Sequence, residues 1–325
     1  MEKIIIQDQD FKEKMKNLVE PYLAIRKREL WPEREPERKI HCVKYHADNP
    51  KAVVMISHGY TETAEKYKEI IYYFLKAGYH VYMPEHCGHG YSYRLTDDLS
   101  LVYVDTYKRY VEDFLFVSRI AKEENPELPM FLYGHSMGGG IAAAVAAQSG
   151  DLFRKVVLSS PMIRPLTGKV PWRTSRLVAG ICCLTGKSEK YVIGQEPYTG
   201  EEDFENSSSS SIERYEYYQA KRRQEPLYQL NAASYGWLYS AARLNGYLQR
   251  TAWRKIRIPV LIFQAENDHL VSKREQERFV IKLNIRGLTS GKMMKVPGIK
   301  HEIFNSSGRV LEIYWRKVFA FLREE

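Results

Sequence analysis

Seven short apolar runs rich in β-forming residues recur along the chain at wide intervals, and this rhythm limits what the chain can fold into. They are IHCVKYH (40–46), AVVMISHG (52–59), YHVYMPEH (79–86), MFLYGHS (130–136), KVVLSSP (155–161), PVLIFQAEND (259–268) and MMKVPGIKH (293–301). Most have uninterrupted rather than alternating apolar centres, as expected of strands covered on both faces. Between them lie segments of helical character, such as AEKYKEIIYYFLKAG (64–78) and TYKRYVEDFLFVSRIAKEEN (106–125). Strands alternating with helices predict an α/β fold, with a mostly parallel central sheet flanked by helices.

The rhythm breaks once. Between Pro161 and Ile258 no strand signal is clear, and the helix-like pieces are EEDFENSSSSS and SIERYEYYQAKRRQ. A structureless connection of that length is implausible inside a folded domain, so an inserted helical cap is expected, with the serine run as a flexible loop in it. At the other end, Phe11, Met15, Leu18, Val19, Tyr22 and Ile25 stand at helical spacing, and Pro21 predicts a kink or break among them. This amphipathic arm should pack on its own protein, and PEREPERK should connect it to the rest. The expected organisation is an arm over 1–39, a core in two parts over 40–160 and 257–325, and a cap over 161–256.

Chemistry concentrates at FLYGHSMGGGIAAAVAAQ, where a strand-like run meets a helix of small residues. Gly134-x-Ser136-x-Gly138 has the spacing of a nucleophile elbow, a turn too sharp for side chains beside the serine. Gly138, Gly139 and Gly140 let the helix start lie close against neighbouring backbone. A serine hydroxyl is a weak nucleophile and needs a base oriented by a third group. Behind an elbow the partners follow in the chain order acid, then histidine. The strand PVLIFQAEND ends on Asp268, at the carboxyl end of the sheet where crevices form. Glu266 is its rival but lies before the turn opens. After MMKVPGIK comes His301 as base; His269 adjoins the acid and is poorly placed to bridge it to the serine. The tetrahedral intermediate needs preorganised N–H donors. The backbone of Met137 offers one, and that of Tyr60, after His58-Gly59, offers the second. His58 precedes the nucleophile and fits a loop-shaping role better than that of base.

Other classes are disfavoured. The net charge of +9 carries no recognisable nucleic-acid-binding signature. Residues 161–258 hold 15 Lys and Arg against 9 Asp and Glu, six of the nine excess positive charges. A solvated basic face is the ordinary explanation; attraction to an anionic membrane or micelle surface is the functional one. His86-Cys87-x-His89 lacks a second ligand pair for zinc, and Cys42, Cys87, Cys182 and Cys183 form no disulfide framework. MEKIIIQDQDFKEK is too short in its apolar part for a signal peptide, and no run reaches membrane-spanning length, which suggests a cytoplasmic protein.

HGYTE, PEHCGHGYS, GHSMGG, AENDHLV and GIKHEIF stand in the order and spacing of the monoacylglycerol lipase and lysophospholipase branch of the α/β-hydrolases. From about residue 40 to its end the chain resembles the bacterial lysophospholipase L2-like members, and RYVEDF and SYGWLYSA are similar to that subgroup. The resemblance implies the α/β-hydrolase fold with a cap over the site. It also implies Ser136 as nucleophile, Asp268 as acid, His301 as base, and Tyr60 and Met137 as oxyanion donors. The activity implied is cofactor-free hydrolysis of lysophospholipids or monoacylglycerols through an acyl-enzyme, with the acyl chain under the cap. A small-ester carboxylesterase, a transacylase or a proline-iminopeptidase-like aminopeptidase would share the fold. A catalytically silent ligand-binding relative is the alternative of another class, and a complete triad argues against it. Oligomeric state is not legible.

Overall fold

A computed structural model describes residues 4–285 and 289–324. All seven apolar runs form strands: β4 (Cys42–Tyr45), β5 (Ala52–Ser57), β6 (Tyr79–Pro84), β8 (Met130–His135), β9 (Lys155–Ser159), β11 (Val260–Ala265) and β12 (Gly291–Val296). An eighth, β1 (Lys27–Leu30), lies where a helical arm was expected up to residue 39. Its sequence, KREL, has no apolar centre; it pairs antiparallel with β4 at the sheet edge, where backbone hydrogen bonds rather than burial select the strand. Two short ribbons complete the strands, β2 (Glu33–Glu35) with β3 (Arg38–Lys39), and β7 (Leu101–Val102) with β10 (Ala232–Ala233).

Among the described residues the central sheet has eight strands, in the order β1-β4-β6-β5-β8-β9-β11-β12. Every pair from β6 to β12 is parallel, and β4 is antiparallel to both neighbours. The chain passes from β5 to β6 on one side, then returns to β8 on the other. The loops leaving β5 and β8 therefore diverge and open a crevice at the carboxyl ends of the strands, the usual ligand site of such sheets.

The helices are α1 (Phe11–Lys14), α2 (Glu20–Ala24), α3 (Lys68–Lys76), α4 (Tyr107–Glu124), α5 (Ser136–Gln148), α6 (Trp172–Leu184), α7 (Ile212–Gln224), α8 (Tyr235–Arg250), α9 (Lys273–Ile285) and α10 (Gly308–Arg323). Alternate residues of β5 face opposite cores. Val53 and Met55 belong to the core that α4, α5, α8 and α9 help to build, whereas Val54 and Ile56 belong to the one built with α3, α10 and the N-terminal segment. In that segment Phe11, Met15, Val19 and Leu23 are buried, while Leu18 and Ile25 face outward. A π-helical turn over Met15–Val19 widens the helix, so that a four-residue spacing keeps one face inward. The helical backbone runs unbroken from Phe11 to Ala24, with Pro21 shortly after the π-helical turn, so no break occurs at the proline.

Between β9 and β11 lie α6, α7 and α8, of which the sequence pattern marked only α7. EEDFENSSSSS is not helical. Nor does the serine run hang free: Glu302 N–H donates to the Ser208 carbonyl at 3.0 Å, Ser208 Oγ to Glu302 Oε1 at 2.6 Å, and Lys300 N–H to Ser210 Oγ at 3.1 Å. Serines bond readily to nearby backbone, which disfavours a helix interior and suits this contact. Ser211 and Ser234 cap α7 and α8 through the N–H groups of Arg214 and Trp237.

Candidate active site

Ser136 stands where β8 ends and α5 begins, with φ +51°, a left-handed conformation that is strained for a residue with a side chain. Close packing holds it there. A Cβ on Gly138 would lie 2.1 Å from the Ser57 carbonyl oxygen, so the start of α5 is pressed against the loop leaving β5. The Met162 N–H donates to the Ser136 carbonyl at 2.7 Å.

Asp268 and His301 are brought together from the loops after β11 and β12. His301 Nδ1 lies 2.7 Å from Asp268 Oδ2, and Asp268 Oδ1 accepts from the N–H groups of Leu270 at 2.9 Å and Val271 at 3.1 Å. Burial works against the Asp268 charge, yet His301 and these two N–H groups hold its carboxyl below the usual value. With Nδ1 donating to the carboxylate, the neutral imidazole has its lone pair on Nε2. Nε2 is buried and makes no hydrogen bond, and His301 lines the same cavity as Ser136. Glu266 is exposed and accepts from the Gly298 N–H at 2.7 Å; His269 lies exposed at the cavity rim.

His58 and Tyr60 occupy the loop after β5. His58 Nε2 accepts from the His86 N–H at 2.9 Å, so Nδ1 carries the proton and donates to the Gly59 carbonyl at 2.9 Å. Burial keeps His58 neutral by lowering its pKa, as this pairing requires. In a trans peptide, fixing the Gly59 carbonyl turns the Tyr60 N–H the opposite way. The Tyr60 ring lies 4.6 Å from that of Trp237, whose Nε1–H donates to Met137 Sδ at 3.3 Å. One side chain of α8 thus touches both proposed oxyanion residues. His86 meets Ser57 Oγ at 3.0 Å and His89 meets the Cys87 carbonyl at 3.1 Å.

A buried ion cluster escaped the sequence reading. Glu62 accepts from the Gly59 N–H and the Tyr67 hydroxyl, each at 2.6 Å, and lies 3.0 Å from Lys66 Nζ. Lys66 also meets Glu302 at 2.5 Å, and Glu302 accepts from Ser208 and from Asn305 Nδ2 at 2.7 Å. Burial opposes the Lys66 charge, but Glu302 and Glu62 on either side hold its ammonium above the ordinary lysine value. The cluster joins the loop after β5, the His301 loop and the serine run. His135 sits beside it, 3.7 Å from Glu62 and with its ring 4.9 Å from that of His301; burial pushes its pKa down to about 4.

The cavity beside Ser136 and His301 has a volume of about 340 Å³. Most of the residues that line it are polar, Lys66, Gln219, Arg222 and Lys300 among them, although somewhat more of its wall surface is apolar than polar. Apolar walls lie behind Met137, formed with Tyr110, Met162, Trp237 and Leu244, but they enclose only about 10 Å³.

An elbow serine at the switch point of such a sheet, with an aspartate-held histidine delivered by the last two strands, defines an α/β-hydrolase. Solved structures share the fold. A highly thermostable carboxyl esterase from Bacillus coagulans, in complex with glycerol, superposes with a TM-score of 0.74 at 20% identity, over 91% of this chain and 98% of that one. A soluble variant of monoglyceride lipase from Saccharomyces cerevisiae, in complex with a substrate analog, gives 0.70 at 18% identity, over 91% and 94%. The chain belongs to the serine aminopeptidase S33 family (Hydrolase_4), whose model matches residues 48–307. It is 26% identical to a monoacylglycerol lipase of Mycolicibacterium smegmatis over 79% of this chain and 83% of that protein. It is 27% identical to a probable lysophospholipase L2 of Haemophilus influenzae over 74% and 77%.

Proposed function

We propose that this protein is a serine hydrolase that cleaves carboxylic esters of lipids, lysophospholipids or monoacylglycerols, through an acyl-enzyme and without a cofactor. One observation carries the reading: Ser136 and the bare Nε2 of an Asp268-aligned His301 share a single cavity. His301 takes the Ser136 proton as Oγ attacks the ester carbonyl, and the N–H groups of Tyr60 and Met137 receive the developing oxyanion. The imidazolium then protonates the departing alcohol, and His301 activates water to release the acid. The names of the two relatives favour lipid esters. The family description suggests peptides, but an aminopeptidase needs a carboxylate for its substrate's ammonium; Glu62 and Glu302 are both bound to Lys66, and Asp203 stands at the exposed rim under the influence of Lys300.

Residues 161–256 act as the cap, and the acyl chain runs toward the apolar walls behind Met137, with Trp237 moving to admit it. The exposed face of α6 supports peripheral contact with an anionic membrane. Leu177, Val178, Ile181 and Leu184 project there, flanked by Arg173, Arg176 and Lys187. A reducing, cytoplasmic setting suits the four unpaired thiols. The test is kcat/KM for acyl esters from acetyl to oleoyl on one alcohol, below micelle thresholds, beside a peptide panel. A rise with chain length is expected, up to ~0.8 kcal/mol for each buried methylene. A monotonic fall, or peptides as the better substrates, would overturn the lipid reading. Sedimentation with phosphatidylglycerol vesicles should show binding that weakens in high salt and with Leu184→Asp; binding indifferent to both would exclude α6 as the contact.

A further inference from the structure

Four cations line the cavity beside Ser136, and they fall into two pairs. Lys66 and Arg214 are held by carboxylates: Lys66 by Glu62 and Glu302, Arg214 by Asp8 and Glu69. Arg222 and Lys300 are held instead by neutral groups. The Arg222 guanidinium donates to the Leu230 carbonyl and to Asn231 Oδ1 at 3.3 Å, and stacks 4.3 Å from the centre of the Tyr198 ring. Lys300 Nζ donates to the carbonyls of Phe204 and Glu205 at 3.1 and 2.8 Å, 5.0 Å from the centre of the Phe204 ring. Carbonyls and rings orient a cation without cancelling its charge.

Both cations are half-buried, one from α7 and one immediately before His301. Gln219, three residues before Arg222 on α7, is more than nine-tenths buried, lines the cavity, and has Oε1 without a hydrogen-bond partner. Asp203 stands at the exposed rim, accepting from Asn206 through both oxygens, and its charge partly offsets that of Lys300, but no carboxylate pairs with Arg222 among the described residues. A polar ligand is called for, with an anion at one end and a hydroxyl donor near the other. We infer that the Arg222–Lys300–Gln219 wall binds the head group of the leaving alcohol, Arg222 and Lys300 taking a phosphate and Gln219 a free glycerol hydroxyl. Arginine and lysine are the usual partners of phosphate oxygens, and an unpaired buried amide gains most from a matching hydroxyl. The site then selects glycerophospholipid monoesters over uncharged monoacylglycerols. This assignment rests on the ester-hydrolase reading and narrows it to one of its two substrates.

Two arms test it. In the first, kcat/KM for a lysophosphatidylglycerol is divided by that for the monoacylglycerol of the same chain. The ratio should exceed one in the wild type and fall about tenfold or more in Arg222→Gln and in Lys300→Gln, the scale of one lost charge-assisted hydrogen bond. In the second, sn-glycerol 3-phosphate, glycerol and inorganic phosphate are compared as inhibitors of p-nitrophenyl acetate hydrolysis. Glycerol 3-phosphate should compete best, and Arg222→Gln should weaken it. Lipids hydrolysed with a ratio that neither substitution changes would overturn the head-group site and leave the hydrolase reading standing. Lipids refused while glycerol 3-phosphate still competes through Arg222 would keep the site and end the lipid reading. Inorganic phosphate competing as well as glycerol 3-phosphate would make this a free-phosphate site and overturn the assignment.

Discussion

Ser136 holds a backbone conformation that glycine would adopt without strain, so reactivity and stability oppose each other at one residue. Ser136→Gly should abolish turnover and raise stability by about 1 kcal/mol, read as a shifted denaturation midpoint. An unchanged or lower midpoint would mean that the elbow is unstrained. Gly138→Ala carries the opposite expectation, because its Cβ would meet the Ser57 carbonyl at 2.1 Å. That substitution should displace the loop bearing Tyr60 and lower both kcat and stability; a variant with wild-type kinetics would show the contact to be slack. At this scale the sequence was legible where chain order and spacing decide which residues meet, as for Asp268 and His301, which pair, and Ser136, which shares a cavity with His301. It was mute about Glu62, Lys66 and Glu302, because an ion cluster drawn from segments far apart leaves no local pattern. Lys66→Met would leave two buried carboxylates facing each other without their cation. A loss of roughly 3 kcal/mol or more is expected in denaturant unfolding, and a loss below ~1 kcal/mol would show that the cluster is not held buried.

The elements legible in the sequence were those whose apolar pattern reports their burial. All seven runs read as strands formed strands, and β5, β6, β8, β9 and β11 are buried at every residue, as uninterrupted apolar centres imply. β1 was missed because an edge strand of charged residues is held by its backbone. EEDFENSSSSS was misread because what fixes the serines lies outside their own segment, in the His301 loop. α6 was missed for another reason: much of its apolar face is exposed, so its pattern does not point to a core. α8 places Trp237 against both Tyr60 and Met137, beside the small apolar space. Trp237→Ala should therefore raise kcat/KM for long acyl chains relative to acetyl esters. A uniform fall across chain lengths would show that Trp237 only supports the oxyanion loop.

Across the whole molecule, the N-terminal segment fastens α7 from outside the residues that the family model matches. Arg214 donates to the Ile6 carbonyl at 2.8 Å and to Asp8, and its Nε and Nη2 pair with Glu69 at 2.8 and 2.7 Å. Tyr217 donates to Glu20 at 2.6 Å. The arm thereby sets a wall of the cavity that no motif near the serine could reveal. Acid should loosen the molecule through its buried histidines. Burial lowers the pKa of His58, His86, His89 and His135, the last to about 4, against an ordinary value of 6.5. Below 6.5 the unfolded chain binds protons that the folded one refuses, so stability is full above that pH and falls as pH drops toward 4. A Tm that is flat between pH 7 and 5 would contradict this burial.

A residue, a chemistry and a substrate class meet in the acyl-enzyme, which can be trapped directly. Rapid acid quench of the enzyme turning over a long-chain lysophospholipid or monoacylglycerol, followed by peptide mass spectrometry, should find the acyl group esterified to the peptide containing Ser136. The adduct and steady-state turnover should both vanish in Ser136→Ala. Turnover that persists in that variant, or an acyl group carried on another residue, would contradict the account.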